Sequence, residues 1–325
     1  MGIDVDALHQ REQSVLFYEE RFSRGYMDEW PLERKQRLRE LLKDLSLPEY
    51  GRGLDFGCGN GVLTAVLAEA LPKWTIEGTD VSETAIAHAS TRSPECRFFV
   101  SRDDDVVAEP YDFVFTHHVL EHVYDLDRAW VALVRLLKPR AGMLHILPCG
   151  NEGSFEFRLC DLREDGINRE RGNRFFFEDE GHLRRLCTED LEQRATRHGF
   201  ALRNEYYANQ WYGAIDWITA GPLQFVRDVS DTSRAFDKSG KRSLNMLRRV
   251  LLAFGYARAL IVEYGRIQSK QPKRLKHHAF LIGSTPAYLA AQWADRVLKR
   301  KVRREWMTQR GRREGSEMYL YFTRE

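Results

Sequence analysis

Between residues 51 and 207, short apolar runs alternate with stretches whose apolar positions recur every three to four residues, the pattern of a mostly parallel sheet covered by helices. Gly53–Phe56, Trp74–Thr79, Cys96–Val100, Asp112–Thr116 and Met143–Leu147 read as five successive strands. Helices fall between them. Val62, Leu63, Val66, Leu67 and Ala70 form a buried stripe after the first strand, and Ser82 caps a helix over Glu83–Ser90. A helix over Leu126–Leu137 is ended by Lys138-Pro139-Arg140-Ala141-Gly142. Farther on, Thr188 caps a helix to His198, Gly199 stops it, Phe200–Tyr207 is a sixth strand, and the alternation in Glu317–Thr323 predicts a seventh. The expected fold is α/β, a doubly wound seven-stranded mostly parallel sheet. N-terminal helices crowded with Phe17, Tyr18, Phe22, Tyr26 and Trp30 precede it, and a mainly helical insertion comes before the last strand. The expected partition is a helical cap over 1–50, a core over 51–208 with 316–325, and an insertion over 209–315 that serves as a lid or acceptor-binding element.

Composition narrows the class. A chain of 325 residues with 43% hydrophobic content buries a full core, which excludes disorder as the main state. The five cysteines are odd in number and include no CxxC pair, as expected of free thiols in a reducing compartment, so the expected location is cytoplasmic. The opening MGIDVDALHQREQ has no apolar h-region of a signal peptide, and Asp6 stands where myristoylation needs Ser or Thr. Leu244–Val262, the best candidate for a membrane span, is broken by Arg248, Arg249 and Arg258. The net charge of +2 conceals an asymmetry: residues 1–225 hold 27 Lys and Arg against 39 Asp and Glu, and residues 226–325 hold 23 against 9.

The sharpest motif is Leu54-Asp55-Phe56-Gly57-Cys58-Gly59-Asn60-Gly61, set between an apolar strand and an amphipathic helix. Glycines there let the backbone turn tightly and approach a ligand, and the helix N-terminus offers N–H groups. A dinucleotide fingerprint would place its third glycine where Val62 stands. The GxGxG spacing after Asp55 instead resembles motif I of the class I S-adenosylmethionine-dependent methyltransferases. Asp80 ends the second strand, where a carboxylate accepts both hydroxyl protons of a ribose. Tyr111-Asp112-Phe113-Val114, Val119-Leu120-Glu121-His122-Val123, Leu136-Leu137-Lys138-Pro139, Gly181-His182-Leu183 and Gly199-Phe200 follow in an order similar to that of quinone-biosynthesis and related small-molecule methyltransferases. The resemblance covers about residues 50–207 and the final strand. It implies S-adenosylmethionine as cofactor, held by Asp55, Phe56, Gly57, Cys58, Gly59, Gly61, Asp80, Val81 and His117. It also implies that Asp103 or Asp104 meets the adenine amine, although a solvated turn explains the acidic run equally well.

Methyl transfer asks mainly for alignment and, where needed, proton removal. His117, His118 and His122 follow the fourth strand at the carboxyl edge, and with His182 they are the candidate catalytic residues. His118, Glu121 and His122 at i, i+3 and i+4 would share one helical face, with His182 completing a metal site, but a hydrogen-bonded cap or salt bridge is the commoner meaning of such spacing and no metal is assigned. The basic segment Arg266–Arg313 holds fourteen Lys and Arg against Asp295 and Glu305. A cationic lid resting on the acidic part is the preferred reading; RNA, or a lipid surface met by Leu244, Leu247, Val250, Leu251 and Phe254, is the alternative. The sequence thus points to methyl transfer onto an oxygen or nitrogen of a small-molecule acceptor. The rivals are an RNA or lipid-linked acceptor, a cofactor-binding scaffold without chemistry, and a dehydrogenase.

Overall fold

The computed structural model describes residues 11–101, 109–271 and 274–324. Elements follow in the order α1 (Arg11–Ser23), α2 (Leu32–Asp44), β1 (Gly51–Phe56), α3 (Val62–Ala70), β2 (Trp74–Asp80), α4 (Glu83–Arg92), β3 (Arg97–Val100), β4 (Tyr111–His117), α5 (Leu126–Arg135) and β5 (Leu137–Pro148). After these come α6 (Phe155–Asp161), β6 (Ile167–Asn168), β7 (Arg174–Phe175), α7 (Thr188–Arg197), β8 (Phe200–Ala208), α8 (Tyr212–Ala220), α9 (Leu223–Val229), α10 (Lys238–Gln268), α11 (Leu275–Gln309) and β9 (Glu317–Arg324). Seven strands form one sheet in the order β3-β2-β1-β4-β5-β9-β8, and the pairs joining β3, β2, β1, β4 and β5 are parallel. The doubly wound α/β reading therefore holds, including the return of the final strand into the sheet.

Two local expectations change. The segment Lys138–Gly142 does not end a helix before a loop; α5 stops at Arg135, and β5 already begins at Leu137. Tyr111 pairs with Leu137 but Phe113 pairs with Gly142, so the extra residues bulge out of the ladder, and Arg140 takes a left-handed φ of 67° there. The turn chemistry of Pro139 is real, but the sheet absorbs it. At α7 the N-cap is Cys187 rather than Thr188: the Cys187 amide donates to Asp190 Oδ2 at 2.8 Å, while Thr188 is buried in the first turn.

The chain divides into two compact units, Met1–Cys149 with Asp179–Glu205 and Met318–Glu325, and Gly150–Glu178 with Tyr206–Glu317. In the first unit the strands β4 and β5 are buried along most of their length, with Phe113, Val114, Phe115, Met143, Leu144 and Ile146 in the core. Such near-continuous apolar strands are what a parallel sheet covered on both faces requires. In the second unit α8, α9, α10 and α11 pack on one another around Ile215, Ile218, Val226, Val229, Leu244, Leu251, Leu298 and Val302. Among the described residues no helix is long and apolar enough to cross a membrane.

One buried group sets a pH dependence. His145 on β5 is completely buried beside Trp130 and Phe322, its Nδ1 is 2.8 Å from Thr116 Oγ1, and its Nε2 has no hydrogen-bond partner among the described residues. Burial lowers its pKa to about 3. The unfolded chain binds this proton below its ordinary value of 6.5 and the folded chain does not, so the stability contributed above pH 6.5 is lost as pH falls toward 3. At pH 5 the loss is about 2 kcal/mol. Relative to the parent, His145→Phe should therefore become more stable as pH falls from 7 to 5, read as the difference between the two unfolding midpoints; a difference that does not change with pH would mean that His145 contributes nothing to the acid lability.

Candidate active site

After β1 the chain turns through Gly57, Cys58 and Gly59 before α3, with φ of 76° at Gly57, 50° at Gly59 and 73° at Gly61. Side chains rarely adopt that region, which is why the turn is glycine-rich. The amides of Gly57 and Cys58 both donate to Thr79 O at 2.8 and 2.9 Å, and the Gly59 amide donates to Asp80 Oδ2 at 2.9 Å. Three N–H groups of the turn are thus spent in tying it to β2, and it offers a ligand Cβ-free backbone rather than free donors. Gly61 is closely packed, since a Cβ there would stand 2.9 Å from Ala89 Cβ on α4, and it is not among the residues that line the neighbouring cavity.

Asp80 closes β2 with a buried carboxylate whose Oδ1 accepts the Ser82 amide at 3.0 Å and whose Oδ2 accepts Gly59. Burial raises its pKa, and the amides oppose that rise. An ionised carboxylate has about four acceptor positions, more than these amides fill. Asp55 accepts Thr64 Oγ1 at 2.7 Å, yet burial pushes its pKa up to about 7. A cavity of about 280 Å³ is lined jointly by Asp55, Phe56, Gly57, Cys58, Gly59, Asp80 and Val81, by Tyr18, Phe22, Tyr26 and Trp30, and by His117, His118, His122 and His182. That size is near the lower end of small-molecule sites. Asp103 and Asp104 lie outside the described residues.

The histidines do not share a helical face. Residues 118–122 form a turn ahead of α5, and His118 takes φ 54°, a conformation that costs a non-glycine residue energy and often marks functional positions. Arg34 Nη1 lies 3.3 Å from His118 Nε2, and His118 Nδ1 lies 3.1 Å from Glu121 Oε1. Neither Glu121 oxygen has a well-aligned hydrogen-bond donor among the described residues. Burial alone would raise the Glu121 pKa, but His118, His122 and His182 hold it at about 2. His122 Nδ1 lies 2.7 Å from Tyr18 Oη and 2.9 Å from the Gly181 carbonyl, and burial with the neighbouring His182 lowers its pKa to about 4, so its ring is neutral at pH 7.

Helix α1 holds this arrangement in place. Arg21 grips both carboxylate oxygens of Asp179 at 2.5 and 2.6 Å, Asp179 accepts the Gly181 amide at 2.8 Å, and His182 follows directly. Arg21 lowers the Asp179 pKa to about 2 against the upward push of burial. Glu19 accepts the amides of Glu83 and Thr84 at the start of α4, beside the Ser82 cap. None of Glu19, Arg21, Arg34 or Asp179 stood out in the sequence, because each works through a partner tens of residues away. His118, Glu121 and His182 offer ligand atoms that all lie within 4.8 Å of one another, and two imidazoles with a carboxylate are a donor set suited to zinc or a similar divalent ion. In this trio His182 takes the place that spacing alone gives to His122.

A family model described as a methyltransferase domain matches residues 31–205, more than half of the chain. The chain belongs to this methyltransferase family. Its superfamily is the class I S-adenosylmethionine-dependent methyltransferases. Trans-aconitate 2-methyltransferase of Variovorax paradoxus is 36% identical over 118 residues, 35% of this chain and 44% of that protein. Malonyl-[acyl-carrier protein] O-methyltransferase of Magnetococcus marinus is 32% identical over 126 residues, 37% of this chain and 46% of that protein. A TehB-like SAM-dependent methyltransferase structure from Corynebacterium glutamicum is 18% identical, covers 60% of this chain and 85% of its own, and superposes with a TM-score of 0.38. The chain spans less than half the length of these two curated relatives.

Proposed function

We propose that this methyltransferase-family chain is an enzyme that moves a methyl group from S-adenosylmethionine to an oxygen or nitrogen of a small-molecule acceptor. The observation that carries this reading is that one cavity is lined at once by the Gly57–Gly59 turn, the Asp80 carboxylate and four histidines. S-adenosylmethionine supplies, when bound, a methyl group already activated on a sulfonium. The residues present fit it: Asp80 keeps acceptor capacity for ribose hydroxyls, and Tyr18, Phe22 and Trp30 give apolar, π-rich walls that tolerate a cation. The two curated relatives are named for trans-aconitate and malonyl-[acyl-carrier protein], and the second is named an O-methyltransferase, which favours an oxygen acceptor.

The residues divide by what their surroundings allow. His122, neutral and tied to Tyr18 and Gly181, is a positioning group. His117 and His182 line the cavity and are the groups of this reading that take the acceptor's proton. Titration calorimetry should detect binding of S-adenosylhomocysteine and none of NAD. His182→Ala should slow methyl transfer about 100-fold while S-adenosylhomocysteine affinity stays within about threefold. Absence of binding would end the cofactor assignment. Tight binding with no transfer to carboxylic or phenolic acceptors would favour a scaffold without chemistry.

A further inference from the structure

Helix α11 carries on one face a row of apolar side chains that nothing in its unit covers. Leu275, Ile282, Leu289 and Trp293 are 85, 77, 56 and 68% exposed. Ala279 and Pro286 lie between them, and at 3.6 residues per turn all six positions fall within about 40° of one line along the helix. The opposite side of α11 is accounted for. Leu298 and Val302 sit in the core, and Tyr288 stacks on Tyr264 of α10 with ring centroids 3.9 Å apart. Leu244 and Leu251, which spacing alone offers to a lipid surface, are buried in that same core.

Charge frames the row. From Ala279 to Ala294 no residue is charged. Arg274 and Lys276 flank Leu275 at one end of the row, and after Asp295 the cations Arg296 and Arg300 continue its face at the other. The two acids of the segment are turned to internal work: Asp295 holds Arg258 at 2.8 Å, and Glu305 accepts backbone amides of α8. The exposed face is therefore apolar in the middle and cationic at each end.

A second copy of the chain is a poor occupant, because packing this face on itself, parallel or antiparallel, sets cationic ends against cationic ends. RNA fits no better, since Trp293 is the row's only ring and aliphatic side chains give bases nothing to stack on. An anionic bilayer meets both features: apolar residues enter the acyl boundary while Arg and Lys reach the phosphates. Depth follows from Pro286, which lacks the N–H that would bond the Ile282 carbonyl and leaves that carbonyl in need of water. The uncharged stretch of 16 residues is also shorter than the roughly 20 that a span requires. We propose that α11 docks the protein onto an anionic membrane surface, lying in the plane of the interface through Leu275, Ile282, Leu289 and Trp293.

This inference does not rest on the methyl-transfer reading, and its test is binding. The full chain should float with phosphatidylcholine vesicles containing phosphatidylglycerol, far less with phosphatidylcholine alone, and progressively less as salt is raised. The double variant Ile282→Asp, Leu289→Asp alters only exposed positions and should bind the anionic vesicles about tenfold or more weakly, with an unchanged unfolding midpoint as the check on folding. Arg296→Gln with Arg300→Gln should weaken binding and reduce its salt dependence. Brominated lipid should quench the parent more than Trp293→Phe. Equal flotation of the double variant overturns the proposal. So does a dimer in analytical ultracentrifugation that the double variant dissolves, or binding of homopolymeric RNA without binding of vesicles.

Discussion

Asp80→Ala is expected to weaken S-adenosylhomocysteine binding about 100-fold in calorimetry, the equivalent of roughly 3 kcal/mol. The carboxylate is nearly buried at the end of β2 and already accepts the amides of Gly59 and Ser82. A ribose diol would supply two further donors to a charge that burial disfavours, and hydrogen bonds to charged groups are the stronger kind. The same change orphans the two amides, so a drop in unfolding stability of about 1–3 kcal/mol should accompany it. Asp80→Asn separates the effects, because its carbonyl still accepts one amide while the pair of charged acceptor oxygens is gone. If Asp80→Ala bound the ligand like the parent, the cavity would have to hold the cofactor by other groups, and the functional reading would lose its main support.

Glu305→Ala should cost the second unit about 3 kcal/mol or more, read by urea unfolding with tryptophan fluorescence. Helix α8 starts at Trp211 without a side-chain cap of its own, and a helix start has amides that its own backbone cannot satisfy. Glu305, on α11 and 4% exposed, serves three of them: Oε2 accepts Trp211 at 3.0 Å and Tyr212 at 2.7 Å, and Oε1 accepts Gly213 at 3.0 Å. The negative charge also complements the positive end of the α8 dipole. Gly213 leaves room for the carboxylate, since a Cβ there would stand 3.2 Å from Glu305 Oε1 and 2.5 Å from Asn209 Oδ1. Glu305→Gln should recover part of the loss. A change below about 0.5 kcal/mol for Glu305→Ala would mean that water satisfies these amides as well as the carboxylate does.

What the sequence disclosed about this molecule was what local pattern encodes. Strands β1 to β5 announce themselves by apolar runs, and the left-handed glycines after β1 and the acid ending β2 are fixed by short-range backbone needs. The histidine turn was not legible in the same way. Spacing suggests a helical face over 118–122, but a left-handed His118 and the start of α5 only after Asp125 make a turn of it. Nothing near Tyr18 in the chain announces His122, 104 residues away, and nothing near Arg21 announces Asp179, 158 residues away. Glu305 counted in the sequence as one acid diluting a basic segment; folded, it is a cap. Likewise the exposed row on α11 becomes visible only once α10 has claimed the other side of the helix.

The strand order has a consequence for synthesis. Because β9 lies between β5 and β8, the ribosome must translate about a hundred further residues after β8 before the piece that separates those two strands exists. At roughly 5 to 20 residues per second this leaves β5 and β8 with open ladders for something like 5 to 20 seconds. Unfilled hydrogen-bonding rims of that kind invite mispairing between nascent chains. Crowded polysomes or deletion of β9 should therefore harm the yield of folded protein more than the small size of that strand suggests.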